Sequence, residues 1–246
     1  PACLQMCPFK ALSVAGSNTE TALETVTLPH APEVIDVPPA DSFRRPPRLS
    51  LAIRGVGGQG NLFFGKVLAQ VAFLAGYDDR NILKGETHGM AQMGGPVIST
   101  FGCGEVFSPA LVPGTANVLI AMEKAEVLRP GFLDLLEPGG TVLMADTRIL
   151  PHGLKPEAYP SDEAIAAQLE GYRVVSVDVL SIALNLGDPK GRCANVAMLG
   201  VLSTLPPFDV VPEAVWLQAL RGISRKPALW DLNHAAFMAG RGMQKG

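Results

Sequence analysis

The sequence predicts an α/β fold: a three-layer, mainly parallel Rossmann-like sheet with helices on both faces, preceded by an extended linker. Three observations carry this. Short continuous apolar runs alternate with helix-length segments, the pattern of a parallel sheet buried on both faces. A glycine-rich turn, Gly55-Val56-Gly57-Gly58-Gln59-Gly60, joins the first apolar run to the first helix. Apolar residues form 48% of the 246 and charged residues only 17%, against about 25% charged in an ordinary soluble domain.

Residues 49–56 read as a buried strand, and 61–75 as a helix that is apolar around much of its surface. Residues 96–103, 118–122 and 141–145 read as strands; 141–145 (Thr-Val-Leu-Met-Ala) is a short run without alternation, suited to a sheet covered on both sides. Ser161 is placed to cap a helix running to about Leu169. Residues 172–177 form a β-branched strand, and 195–205, 212–221 and 232–240 read as helices. This globular zone spans residues 49–246. Ahead of it, residues 15–48 are linker-like. Six prolines fall there (Pro29, Pro32, Pro38, Pro39, Pro46, Pro47), which gives an extended, semi-rigid segment suited to lie across another surface. Residues 1–14 hold Cys3, Cys7 and a short apolar tail. The start at Pro1 reads as a chain that begins within something longer.

Charge and hydropathy narrow the function classes. With 20 basic and 23 acidic residues the net charge is −3, and no long Lys/Arg run occurs, so nucleic acid is not an expected partner. The longest apolar stretch, 61–76, contains Lys66 and Gln70 and is short of the roughly 20 residues needed to span a bilayer. No signal-peptide pattern is visible, and a cytoplasmic location is expected. A mean hydropathy of +0.24 with so little charge implies apolar surface covered by a partner.

The glycine loop sits where a strand passes into a helix, the context a Gly-x-Gly-x-x-Gly turn needs. Gly55 permits the turn, Gly57 a close backbone approach, and Gly60 close strand–helix packing, while amides up to Asn61 face a ligand. The alternative is a glycine-rich turn without a ligand. A dinucleotide site also needs an acid at the end of the second strand. Asp78 and Asp79 lie at that distance, but Arg80-Asn81-Ile82-Leu83 reads as a poor strand. His88 lies in a polar loop, Glu86-Thr87-His88-Gly89-Met90-Ala91-Gln92-Met93-Gly94-Gly95-Pro96. It is a candidate proton donor or anion contact, or simply a bond of the loop to itself. Cys3 and Cys7, with Pro8 after the second, match the end of the bacterial ferredoxin cysteine run, and so are candidate iron–sulfur ligands as well as ordinary cysteines. Cys103 and Cys193 read as buried thiols. Glu123 and Glu126 follow a strand end but read as the solvated first turn of a helix. Gly187-Asp188-Pro189 departs from the Gly-Asp-Gly pattern of a thiamine-diphosphate and magnesium site. No Ser-His-Asp signature of the Gly-x-Ser-x-Gly type, Walker loop or His-Glu-x-x-His motif is present.

Together, the Gly55–Gly60 loop, His88-Gly89-Met90-Ala91-Gln92 with Gly94-Gly95, Ser108-Pro109 with Leu111, Asn195 with Leu199-Gly200, and the 233–240 helix resemble one family. It is the gamma module of 2-oxoacid:acceptor oxidoreductases, of which the indolepyruvate:ferredoxin kind is most similar. The resemblance covers about residues 49–242, and Cys3 and Cys7 resemble the end of the ferredoxin-like segment of the larger subunit. It implies an α/β module of an enzyme that decarboxylates a 2-oxoacid on thiamine diphosphate with magnesium held in partner modules. It further implies acyl-coenzyme A formation and electron transfer through 4Fe-4S clusters to ferredoxin or another acceptor. Under it, Gly55, Gly57, Gly58, Gln59, Gly60, Asn61, Gly94 and Gly95 are candidate coenzyme A or anion contacts, and Cys3 and Cys7 cluster ligands. One departure is Met93, where the family often carries Arg or Lys. The other readings are a nicotinamide-dependent oxidoreductase and a non-catalytic assembly module.

Overall fold

The computed structural model describes residues 26–86, 95–150, 155–224 and 226–243. Cys3, Cys7, His88, Met93 and Gly94 therefore lie outside the described residues. The sheet has six strands: β1 Arg48–Val56, β2 Ile82–Glu86, β3 Pro96–Gly104, β4 Ala116–Ala121, β5 Leu136–Ala145 and β6 Arg173–Val177. Their spatial order is β2-β3-β1-β4-β5-β6. β1, β4, β5 and β6 are mutually parallel, while β3 runs antiparallel between β1 and β2.

The helices are α1 Asn61–Leu74, α2 Asp162–Gln168, α3 Val179–Asn185, α4 Ala194–Leu202, α5 Glu213–Ile223 and α6 Pro227–Gly242. Alternation along β1 separates two cores, as a period of two requires. Leu49, Leu51 and Ile53 meet Phe64 and Leu68 of α1, Leu199 of α4, Trp216 of α5 and Phe237 of α6 on one face. Ala52, with Leu119, Ala121 and Val142, faces the other, beneath Val127, Phe132 and Ile165. That second layer is thin: the seven-residue α2 and short 3-10 turns cover it. Ser161 caps α2 as expected, its hydroxyl accepting from the Ala164 amide at 3.2 Å.

Two elements correct the reading of the sequence. Residues 82–86 are a strand after all. Ile82-Leu83-Lys84-Gly85-Glu86 shows no alternation because β2 is an edge strand, half-buried along most of its length and carrying charge. Gly85 also leaves room for Thr100 and the Pro109 carbonyl, which are themselves hydrogen-bonded. α3, a helix of seven residues, has no counterpart among the expected elements. Asp178 caps it, accepting from the Ser181 amide at 2.9 Å.

Residues 26–47 lie across the same domain. Asp231 of α6 accepts from the Ala31 amide at 2.8 Å, and Arg221 and Trp230 both donate to the Pro32 carbonyl, at 2.6 and 3.2 Å. Ala31 is buried in the helical-face core, with Ile35, Val37 and Phe43 packed against it.

α4 and α6 cross at backbone contact. A Cβ on Gly200 would strike the Phe237 carbonyl, and one on Gly240 the Ala197 carbonyl. Gly240→Val should therefore force the helices apart, at a cost of about 3 kcal/mol, and lower the Tm by roughly 6–12 °C. Thermal unfolding by circular dichroism checks this; an unchanged Tm would mean that the crossing is not rigid.

Candidate functional site

Parallel strands bring their C-terminal ends to one edge of the sheet, where open α/β sheets bind ligands. At that edge β1 passes into α1 through the glycine loop. Gly58 and Gly60 have φ of 103° and 86°, a region that L side chains enter at a cost. Gly60 also stands where Asn195 of α4 needs space: a Cβ there would collide with the Asn195 Nδ2.

Gln59 is the brace of the loop. Its Oε1 accepts from the Val56 amide at 2.7 Å, and its Nε2 donates to the Met122 carbonyl at 2.6 Å, beyond the end of β4. Its side chain thus ties the loop to the neighbouring strand. The expected outward amides are only partly free. The Gly57 amide donates to the Gly95 carbonyl at 2.8 Å and the Gln59 amide to the Val56 carbonyl at 3.1 Å. The amides of Gly58, Gly60 and Asn61 have no acceptor among the described residues, and Gly60 offers no side-chain cap to α1. These donors favour an anion or a polar ligand atom.

Beside the loop is a cleft of about 740 Å³. Phe63, Ile149, Leu180 and Leu232 give it an apolar lining, and Arg148, Lys190 and Arg192 supply cations. Asn195 lines it too; it is only 8% exposed, and its Oδ1 has no hydrogen-bond partner among the described residues. Asn61, 7% exposed, has both side-chain polar atoms likewise unpartnered, with Oδ1 turned toward Gly55. Buried amides left unpaired cost free energy unless a ligand or water completes them.

The stretch 188–193 is shaped by Asp188, which is 1% exposed. Its carboxylate accepts from the Cys193 amide at 2.9 Å, the Lys190 amide at 3.3 Å and Arg192 Nε at 3.3 Å. It is therefore engaged by its own loop, which fits neither magnesium nor thiamine diphosphate. Cys193 lies in the cleft wall, but burial and then the nearby Asp188 push its thiol up to about 12. Cys103 is likewise pushed up to about 12 by burial. Both read as buried thiols from the sequence and are so in the structure.

One expectation drawn from spacing needs correction, and the topology also places the acids found at the dinucleotide distance. Asp78 lies at the start of β2, since Ile82 pairs with Cys103 at the end opposite the glycine loop. It is engaged with Arg80, whose Nη2 reaches Asp78 Oδ2 at 2.6 Å. The antiparallel β3 inserted between β1 and β2 removes the neighbouring-strand acid that a dinucleotide ribose needs. Glu123 and Glu126 are not a solvated turn: they are 2% and 3% exposed. Glu123 accepts from the Glu126 amide at 3.1 Å, the Ile149 amide at 3.3 Å and the Tyr159 hydroxyl. Burial raises its pKa. Glu126 takes both Nε and Nη2 of Arg129, at 2.9 and 2.7 Å, with Arg54 at 3.5 Å. A pair of acids after a strand gives no sign of this in sequence, because Tyr159 and Arg54 come from elsewhere in the chain. Among the described residues no group of three or more His, Cys, Asp or Glu is arranged to hold a metal, and no helix is long and apolar enough to cross a membrane.

Comparison with known proteins gives a consistent picture. Residues 50–243 match the model of the pyruvate ferredoxin/flavodoxin oxidoreductase family. The chain is 35% identical over 159 residues to the indolepyruvate oxidoreductase subunit IorB of Archaeoglobus fulgidus, covering 63% of this chain and 76% of that protein. It is 33% identical over 197 residues to the same subunit of Thermococcus kodakarensis, covering 78% and 93%. In fold it is similar to the pyruvate oxidoreductase subunit PORC of Thermotoga maritima, with a TM-score of 0.59 and 20% identity over 80% of this chain and 97% of that one. The chain belongs to the pyruvate ferredoxin/flavodoxin oxidoreductase family.

Two outcomes follow from this geometry. Gln59→Ala strands the Val56 amide and the Met122 carbonyl and should cost about 1–3 kcal/mol, measurable by urea unfolding. Glu123 has its folded pKa raised by burial. The proton it holds stabilises the fold below its unfolded pKa, and that stabilisation is lost as pH rises through the higher folded pKa. Glu123→Gln should accordingly flatten the fall in Tm as pH rises above the ordinary carboxylate range; an equally steep fall in the variant would assign it to another group.

Proposed function

We propose that this chain is the gamma-type module of a thiamine-diphosphate-dependent 2-oxoacid:ferredoxin oxidoreductase acting on arylpyruvates of the indolepyruvate kind, and that its cleft holds coenzyme A. Family membership and relatives named as indolepyruvate oxidoreductase subunits support the first part. The second rests on one observation: open loop amides, three cations and an apolar wall meet in a single cleft of about 740 Å³. A ligand with phosphates at one end and an uncharged arm matches that division of polarity. In this reading Gly58, Gly60 and Asn61 offer donors, Arg148, Lys190 and Arg192 receive phosphate charge, and Asn195 meets a donor on the arm.

Thiamine diphosphate, magnesium and most of the iron–sulfur ligands belong to partner modules in this proposal, with Cys3 and Cys7 as ligands contributed from the N-terminal segment. Bound thiamine diphosphate supplies the carbanion chemistry of decarboxylation, and the clusters carry the electrons onward. The residues lining the cleft bind and orient the thiol carrier and keep water from its apolar arm. Ferredoxin or a similar acceptor completes the reaction. His88, Gly94 and Gly95 remain candidate contributors from the stretch of sequence ahead of β3.

The test is kinetic, in the assembled enzyme with indolepyruvate and a viologen acceptor. Lys190→Glu and Gly58→Val should each raise the KM for coenzyme A by roughly tenfold, the loss of about 1.4 kcal/mol of binding, with kcat within about twofold. If the complex assembles and neither variant moves that KM, the chain is an assembly module and the cleft is not a coenzyme A site.

A further inference from the structure

Behind the cleft wall is a buried carboxylate that the proposed binding reading leaves without a role. Glu123 is 2% exposed, and both of its oxygens accept hydrogen bonds: Oε2 from the Glu126 amide at 3.1 Å, Oε1 from the Ile149 amide at 3.3 Å and from the Tyr159 hydroxyl. It is too enclosed to touch a ligand. Its partners are informative, however. Ile149 follows Arg148 in the chain and lines the cleft with it. The ring of Tyr159, itself buried, lies under the Arg148 guanidinium, 4.6 Å from its centroid.

Arg148 is about half exposed, and its Nη2 lies 3.3 Å from Asp162 Oδ1. That acid is already shared with Lys124, whose Nζ reaches the same oxygen at 2.8 Å and Asp146 at 2.7 Å. The two cations and two carboxylates of this group balance, and Asp162 orients Arg148 through a single nitrogen, which leaves the other guanidinium N–H groups to a ligand. A guanidinium stacked on an aromatic ring keeps its edge N–H groups free for an anion. An unsupported arginine at a cleft mouth loses rotamer entropy on being fixed by a ligand; here the protein has fixed it in advance.

We propose that Glu123 and Tyr159 are positioning residues: by holding the Ile149 amide and the aromatic platform, they set Arg148 as the cation that contacts the anionic part of the cleft ligand. This rests on the reading of the cleft as a coenzyme A site. The acid-rich stretch after β4 thereby acts on binding through the arginine, from a place no ligand reaches.

A double-mutant cycle in the assembled enzyme tests it, with KM for coenzyme A and kcat measured separately. Arg148→Ala and Tyr159→Leu should each raise KM by about tenfold, and Tyr159→Phe, which keeps the ring, by about threefold, all with kcat within about twofold. Added to Arg148→Ala, either Tyr159 change should have no further effect. If Tyr159→Leu does not assemble, the Tyr159→Phe and Arg148→Ala pair completes the cycle. Multiplying KM effects in the double variant, or a fall in kcat with KM unmoved, overturn the positioning role. An unchanged KM in Arg148→Ala while Lys190→Glu raises it overturns this inference and leaves the cleft reading standing. If Arg148→Ala, Lys190→Glu and Gly58→Val all leave KM unmoved, the cleft reading fails as well.

Discussion

The site depends on backbone surfaces approaching one another where no side chain intervenes. Gly200 and Gly240 let α4 and α6 cross with Cβ-less positions against the Phe237 and Ala197 carbonyls. Gly60 accepts the side-chain amide of Asn195 in the space of a missing Cβ. These contacts draw the N-terminus of α4 against the loop at the start of α1, although Gly60 and Asn195 lie far apart in the chain. The cleft is the space left between them. Packing at interior density transmits a change at either crossing to the cleft wall.

A second constraint is how the edge of the sheet is held. Gln59 makes one side-chain bond to Val56 at the end of β1 and one to Met122 just beyond β4. Immediately after β4, Glu123 ties in the segment following β5 through Ile149 and Tyr159. The C-terminal ends of β1, β4 and β5 are therefore cross-linked by polar groups satisfied within the protein, as buried polar networks must be to stabilise a fold. The unpaired atoms of Asn61 and Asn195, by contrast, belong to the loop and the cleft. Polar cross-links at the sheet edge beside unpaired amides of the loop and cleft are the arrangement expected of a preorganised binding site.

This organisation suits a family in which cofactors carry the bond chemistry. The cleft offers donors, cations and an apolar wall, and the thiol of Cys193 in that wall is too buried to ionise near neutral pH. Asp188, close behind the cleft, is spent on its own loop. In the proposed function, such a module contributes orientation and shielding. The two faces of the sheet are unevenly covered. One face lies under α1, α4, α5, α6 and the strap of residues 26–47, the other under the short α2 and 3-10 turns.

Much of the fold is legible in sequence because it rests on local pattern. The apolar runs at β1, β4 and β5, the glycine turn, the Ser161 cap and the helices α1, α4 and α5 each announce themselves within a few residues. β2 and α3 do not; an edge strand draws its stability from its neighbours. The place of the loop is readable, but its chemistry only half so: spacing identifies the glycines, yet whether an amide is free depends on what folds over it, and Gly95 takes that of Gly57. The gathering of Arg148, Lys190 and Arg192, the buried state of Glu123 and the position of Asp78 at the far end of the sheet are decided by tertiary structure alone. The reason is physical. Propensity, capping and turn chemistry act between near neighbours in the chain, whereas desolvation and charge pairing depend on groups that only the folded topology brings together.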